Sequence, residues 1–242
     1  MVSTDGGVNF ASVELPRPLE ERSYTVLDTS EGAVMLHVYH GHTDHIPTGH
    51  VYISDEQGIH FTLSLPMNVR NANGDCEFDK IMSLEGIYMA NFLDKDESDT
   101  AAASIEAEDI SDEEDEDGAF HETKRHGSKN EAQVRTLITW NKGASWRYLK
   151  PPQTDSMGKN YDCETGKCWL HLHGVSEYQS YSPFYSLESA TGLIMGTGNV
   201  GPHMRYELDE INTYISREGG AKWSEAHKGA YIYEFGDHGG LV

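Results

Sequence analysis

One eight-residue pattern limits this chain's folds more than any other feature, because it comes back four times. Ser3-Thr4-Asp5-Gly6-Gly7-Val8-Asn9-Phe10 returns as Ser54-Asp55-Glu56-Gln57-Gly58-Ile59-His60-Phe61. It returns again as Thr139-Trp140-Asn141-Lys142-Gly143-Ala144-Ser145-Trp146 and as Ser216-Arg217-Glu218-Gly219-Gly220-Ala221-Lys222-Trp223. Each copy sets a hydroxyl residue (Ser3, Ser54, Thr139, Ser216) two before an acid or amide (Asp5, Glu56, Asn141, Glu218). Glycine follows at four on (Gly7, Gly58, Gly143, Gly220) and an aromatic residue at seven on (Phe10, Phe61, Trp146, Trp223). This is turn chemistry: short oxygen-bearing side chains accept backbone N–H groups inside a tight turn, and glycine supplies the positive φ it demands. The aromatic residue is expected to anchor the returning strand in the core. Strand-like runs precede three of the copies (Val51-Tyr52-Ile53, Leu137-Ile138, Tyr214-Ile215), so each reads as the loop of a β-hairpin. Glu56 and Glu218 are longer than the aspartate such a turn prefers, which predicts looser turns there.

The copies start 51, 85 and 77 residues apart. The middle interval holds an acidic stretch in which 13 of the 24 positions from Asp94 to Asp117 are Asp or Glu, so that segment, to about Asn130, is expected to be disordered. Without it the spacing falls near the ~50 residues that four short strands and their turns need. A second repeat relates Tyr24–Val34 to Tyr231–Val242, the opening strands of a unit. The fold class expected is all-β: a partial β-propeller of about three four-stranded blades. Residues 1–18 end one blade, 22–66, 76–152 and 163–226 form three, and 229–242 start the next.

The formal net charge of -22 argues against nucleic acid and anionic membrane as partners, since both require a basic face. No apolar run is long enough to span a bilayer, the N-terminus lacks the pattern of a signal peptide, and there is no Asn-X-Ser/Thr sequon. Cys163 and Cys168 stand five apart, a spacing that a hairpin disulfide closes; free thiols or a metal site are the alternatives. A zinc site wants a further ligand pair across a structural element, which nearby His171 and His173 do not supply. Cys76 is left over. His37, His40, His42, His45 and His50 crowd one strand and its loop, and read as a polar loop, a pH sensor or a metal site. On the pH reading, replacing His40, His42 and His45 with Gln weakens acid release of a ligand. No metal or other cofactor is expected.

The four recurring loops are Asp boxes, which occur on several propeller families. More specific text surrounds them. Ile138–Pro152, Asp162-Cys163 to Cys168-Trp169-Leu170-His171-Leu172-His173, Gly192–Gly201 and Ser83–Tyr88 together resemble the sortilin family, over all of the chain except the acidic insert. The resemblance implies a ten-bladed propeller with a wide central tunnel, then cysteine-rich modules, a membrane helix and a cytosolic tail. It implies a receptor that binds protein or peptide cargo on the lumenal side of Golgi and endosome membranes, sorts it to vacuole or lysosome, and catalyses nothing. Sorting adaptors would be met only through the tail, and this chain would be a fragment. In that family an arginine before an Asp box and a Phe-Tyr-Ser run after it hold a peptide's C-terminal carboxylate. The box at Ser3 matches, the arginine position precedes Met1, and the run corresponds to Ser23-Tyr24-Thr25, with Ser23 in place of the aromatic residue. The alternative class is a sialidase-like Asp-box glycoside hydrolase, which needs a cluster of arginines and a tyrosine nucleophile; the eight arginines here are scattered. A scaffold propeller without cargo is the third reading.

Overall fold

A computed structural model describes residues 1–17, 24–39, 46–71, 73–94, 133–164, 166–174 and 183–242. Ser23, His40, His42, His45 and the acidic insert beyond Asp94 lie outside the described residues. Twelve strands carry the fold, with no α-helix among the described residues: β1 Tyr24–Asp28, β2 Met35–Val38, β3 Thr48–Ser54, β4 Phe61–Val69, β5 Phe78–Lys80, β6 Tyr88–Asp94, β7 Gln133–Thr139, β8 Arg147–Tyr148, β9 Trp169–Leu172, β10 Ile194–Gly201, β11 Asn212–Ser216 and β12 Ser224–Lys228. All pairings between them are antiparallel. They form one eight-stranded and one four-stranded sheet. The larger sheet is two four-stranded units joined by a single residue pair, Asn68 with Phe92. The protein is thus a partial β-propeller of three successive blades, β1–β4, β5–β8 and β9–β12.

The blades stack face to face, which explains why their second and third strands are mostly apolar, with the one ion pair Arg135–Asp94 at the end of β6 and β7. Met35–Val38 is buried along its whole length, and so is Tyr88–Asn91. A strand covered on both faces reads as a continuous run instead of an alternating one. Met35, Val51, Leu65, Phe78, Tyr88 and Leu137 pack together where the first blade meets the second. Between the second and third, Ile81, Met89, Ile138, Leu172, Ile194 and Trp223 belong to one cluster.

Three of the four recurring turns share a geometry. The Ser3 and Thr139 hydroxyls accept the Gly7 and Gly143 amides at 2.8 and 3.0 Å, and the Ser216 hydroxyl accepts the Gly220 amide at 2.9 Å. Asp5 Oδ1 and Asn141 Oδ1 each accept the amide four residues on, both at 2.9 Å. That bond from Asn9, with further ones from its side chain and from Ser3, holds the Asp5 carboxyl down to about 2. Two consecutive residues take positive φ in each: Gly6 and Gly7, Lys142 and Gly143, Gly219 and Gly220. The Glu218 carboxylate accepts no amide of the described residues; its long side chain turns outward and pairs with Lys222 at 3.0 Å.

The turn at Ser54 departs from the expected pattern. Asp55, not Glu56, accepts the Ile59 amide at 2.9 Å, while Ser54 Oγ bonds Val34 N and Asp55 O. Only Gly58 has a positive φ there, so this is a different, Asx-initiated turn, and Glu56 is exposed. The same turn recurs twice where the sequence reading found nothing. Asn71 Oδ1 accepts the Asp75 amide at 2.9 Å, and Asp155 Oδ1 accepts the Lys159 amide at 2.8 Å. Of the aromatic anchors, Phe61 and Trp223 are 6% exposed and Trp146 is half-buried, but Phe10 is 60% exposed, because only the Val2–Ala11 bridge holds its hairpin.

The two outer turns make a testable contrast. Asn141→Ala removes an amide acceptor and is expected to cost about 1 kcal/mol. Glu218→Ala removes only an exposed ion pair and should cost no more than about 0.5 kcal/mol. Urea midpoints of both variants check the pair; equal losses would mean the turns are built alike.

Candidate functional site

The first strands of the blades converge. Leu27, Asp28 and Ser30 from the β1 end, Phe78–Met82 from β5 and its turn, and Phe184–Ser186 with Glu188 ahead of β10 line one cavity of about 580 Å3. Tyr185 bridges Met195 of β10 in the position that β5 takes against β6, so Phe184–Ser186 continues along β10 the first-strand edge that β9 opens. First strands of successive blades sharing one wall is the geometry of a propeller's axis-facing surface.

Carboxylates dominate the polar part of this wall, each held differently. Asp28 Oδ2 accepts the Tyr88 hydroxyl at 2.6 Å. Burial works against its charge, yet hydrogen bonds from Tyr88 and Ser30 and the Lys80 ammonium leave it below the usual carboxylate range. Lys80 lies 2.7 Å from Glu31 and also donates to Ser30 Oγ at 2.6 Å. Asp79 has no such support: burial, and after it the charge of Glu77, pushes it up to about 7. Phe184, Ile81 and Leu27 supply an apolar background, and Met82 is 53% exposed at the rim. No arginine lines the cavity.

Of the residues expected to touch ligand, Tyr24 stands on β1, 55% exposed. Thr25 is half-buried and hydrogen-bonds the Cys76 thiol, whose pKa burial raises to about 11. Thr25 is therefore engaged inside the blade while Tyr24 faces solvent. Cys76 is a buried free thiol, and Cys163 and Cys168 form a disulfide with Cα atoms 5.5 Å apart. Among the described residues no group of three or more His, Cys, Asp or Glu side chains is placed to hold a metal ion. No helix among them is long and apolar enough to cross a membrane.

A buried polar belt crosses all three blades behind this wall, and the sequence reading missed it. His37 Nε2 donates to the Asn68 carbonyl at 3.4 Å. Asn68 Nδ2 donates to the carbonyls of Glu77 and Asn91, both at 2.9 Å. Asn91 Nδ2 bonds the Glu77 carboxylate and, at 3.1 Å, the Leu172 carbonyl. Thr136 Oγ1 donates to Asn91 Oδ1 at 2.6 Å and accepts the Leu172 amide at 2.9 Å. His171 closes the chain: Nδ1 accepts the Thr136 amide at 3.3 Å and Nε2 donates to the Gly201 carbonyl at 3.1 Å. These backbone groups of the second and third blades are the partners of His171. His37, Asn91 and Thr197 are equivalent positions on the second strands, each three residues beyond the residue that meets a turn's hydroxyl residue: Val34 with Ser54, Tyr88 with Thr139 and Ile194 with Ser216. Polar residues at matching depths were the signal available in the sequence.

The sortilin-Vps10 family, described as sortilin, neurotensin receptor 3, matches residues 1–242. Among curated relatives, the protein named vacuolar protein sorting/targeting protein 10 of Lodderomyces elongisporus is 34% identical over 245 residues, covering 99% of this chain and 14% of that protein. Proteins of that name from Debaryomyces hansenii and Candida dubliniensis are 32% and 36% identical over 247 and 250 residues, covering all of this chain and 14% of each. The chain thus spans about a seventh of the length of these relatives. The match over residues 1–242 makes this chain a member of the sortilin-Vps10 family.

Proposed function

We propose that this chain is part of the cargo-binding propeller of a sorting receptor that moves proteins between Golgi, endosome and vacuole or lysosome. The family match over the whole chain carries the reading. The wall built by three first strands supports it: a concave surface mixing aromatic, aliphatic and carboxylate groups suits an extended polypeptide. The sialidase-like alternative requires an arginine cluster at this place, and the cavity has none. The partner is protein or peptide cargo, met on the lumenal side of the membrane. Ser23, Tyr24 and Thr25 are the proposed contacts, Tyr24 foremost because it is exposed on the first strand; Tyr24 and Thr25 are not among the residues lining the cavity, and Thr25 would have to leave its Cys76 bond to meet cargo.

Photo-crosslinking tests the reading. A benzophenone residue placed at Met82 in the full-length protein should capture cargo, whereas one at Met157, 80% exposed on an outer hairpin, should not. Tyr24→Ala should weaken cargo binding about tenfold, roughly 1.4 kcal/mol. Equal capture at both positions would refute the axis-facing site, and reproducible turnover of a fluorogenic glycoside would refute the receptor class.

A further inference from the structure

A second cavity, of about 390 Å3, lies between the Thr139 and Ser216 turns and shares no residue with the first-strand wall. Trp140, Arg147, Tyr148, Lys150, Gly220 and Ala221 line it. All six belong to the second and third blades, so both walls are present in this chain. The aromatic surfaces are fixed in place. Trp140 Nε1 donates to the Gly219 carbonyl at 2.9 Å, which lays the indole across the gap between blades while leaving it 40% exposed. Tyr148 is held by its hydroxyl bond to Asp94 at 3.2 Å and by Trp169, whose ring centre is 4.7 Å away. Gly220, at φ +82°, packs its backbone against the core: a Cβ there would come within 2.3 Å of the buried Ile138 Cδ1.

The charges at this groove run against the character of the chain. Arg147 and Lys150 are both exposed, and neither forms an ion pair with a described residue. In a chain of net charge -22, Lys80, Arg135, Lys142, Lys167, Arg205, Lys222 and Lys228 have carboxylate partners, whereas Arg17, Arg70, Lys159 and Arg217 share with Arg147 and Lys150 the lack of one among the described residues. Glu218, the carboxylate of the facing turn, is paired with Lys222 instead. Two exposed cations without an ion-pair partner among the described residues, beside two fixed aromatic faces, form a site for carboxylate groups carried on apolar stems.

We propose that this groove binds an acidic segment of a second polypeptide. Arg147 takes a carboxylate through two parallel N–H bonds, Lys150 a neighbouring one as a point charge, and Trp140 and Tyr148 receive the aliphatic parts between them. The volume exceeds what one carboxylate fills, and the aromatic floor adds apolar contact that a free inorganic anion cannot use. The site stands independently of the cargo wall, because it is built on the outer turns and not on first strands.

Fluorescence anisotropy of a labelled Glu/Leu peptide with the full-length protein is the test, with a Gln/Leu peptide of equal length beside it. The acidic peptide should bind, the Gln version about tenfold or more weaker, and binding should fall as salt rises. Arg147→Glu with Lys150→Glu should abolish it, Arg147→Gln with Lys150→Gln should weaken it, and Lys159→Glu on the hairpin beyond should leave it unchanged. Equal affinity for both peptides, or undiminished binding by the Arg147/Lys150 variants, would overturn the proposal. So would sulfate competing as well as unlabelled peptide, since that marks a general anion site.

Discussion

Replacing Asn91 with leucine is expected to cost about 3–5 kcal/mol, although the two side chains are close in size. Asn91 is 0% exposed, and its side chain joins the Glu77 carboxylate, the Leu172 carbonyl and the Thr136 hydroxyl. Leucine leaves the carboxylate buried with only the Gly174 amide and strips a donor from the Leu172 carbonyl. The neighbours cannot rearrange to compensate: a Cβ on Gly174 would already stand 2.7 Å from Glu77 Oε2. Burial already pushes the Glu77 carboxyl up, so losing its nearest donor raises it further. The variant therefore protonates Glu77 or opens the seam between the second and third blades. The double variant Asn91→Leu/Glu77→Leu removes donor and acceptor together and should recover about 1–3 kcal/mol of the summed single losses. Urea unfolding of the two singles and the double measures this coupling. Strict additivity would mean that the belt is not one network.

The hairpin loops were legible in the sequence because a turn is a local event: a hydroxyl, an amide and a glycine within five residues determine it. Thr139, Asn141 and Gly143 show this, with every hydrogen bond of the Thr139 and Asn141 side chains made inside the segment itself. The error at Ser54 has the same origin. Asp55 and Glu56 are adjacent, and fixed spacing favoured the residue in the expected column over the shorter side chain one place earlier, which closes the turn. The spacing between copies, together with the family resemblance, pointed to blades, since a four-stranded unit has a narrow range of lengths. The belt was not legible. His37, Asn68, Glu77, Asn91, Thr136 and His171 are scattered over 135 positions, and only stacking of blade on blade brings them together. The first-strand wall stayed hidden for the same reason, its residues coming from three blades. Histidines were noticed where they crowd, at His37 to His50, yet those with the clearest electrostatic consequence include His171 and His173, which spacing alone made unremarkable.

Those buried histidines are expected to make stability fall as pH falls from 6.5 toward 4. His37, His171 and His173 are each 0% exposed, and burial holds them down to about 4, 3 and 4 respectively. Charges nearby act in the same direction, Arg70 and His50 on His37, Arg135 and His203 on His171, while bonds to carbonyls resist. The sign follows from proton uptake: below the ordinary histidine value the unfolded chain takes up protons that the folded one refuses, so acid favours unfolding. Each histidine contributes about 1.4 kcal/mol per pH unit across that interval. Asp79 works in the opposite sense. Held up to about 7, it binds a proton in the folded state between that value and the ordinary carboxylate range, so its contribution is lost as pH rises. Glu77, also raised by burial, adds to the Asp79 side. Three protons set against one or two leave a net loss on acidification, with a slope of one to two protons between pH 6.5 and 4.5. His171→Asn should flatten that slope by about one proton, roughly 1.4 kcal/mol per pH unit, since its amide oxygen can keep the Thr136 amide bonded without titrating. Asp79→Asn should steepen it by about as much. Chemical unfolding of the parent protein and both variants at half-unit steps of pH resolves the two changes. If the slopes coincide, His171 takes up its proton in the folded protein as readily as in the unfolded chain, and burial between the blades does not hold it down.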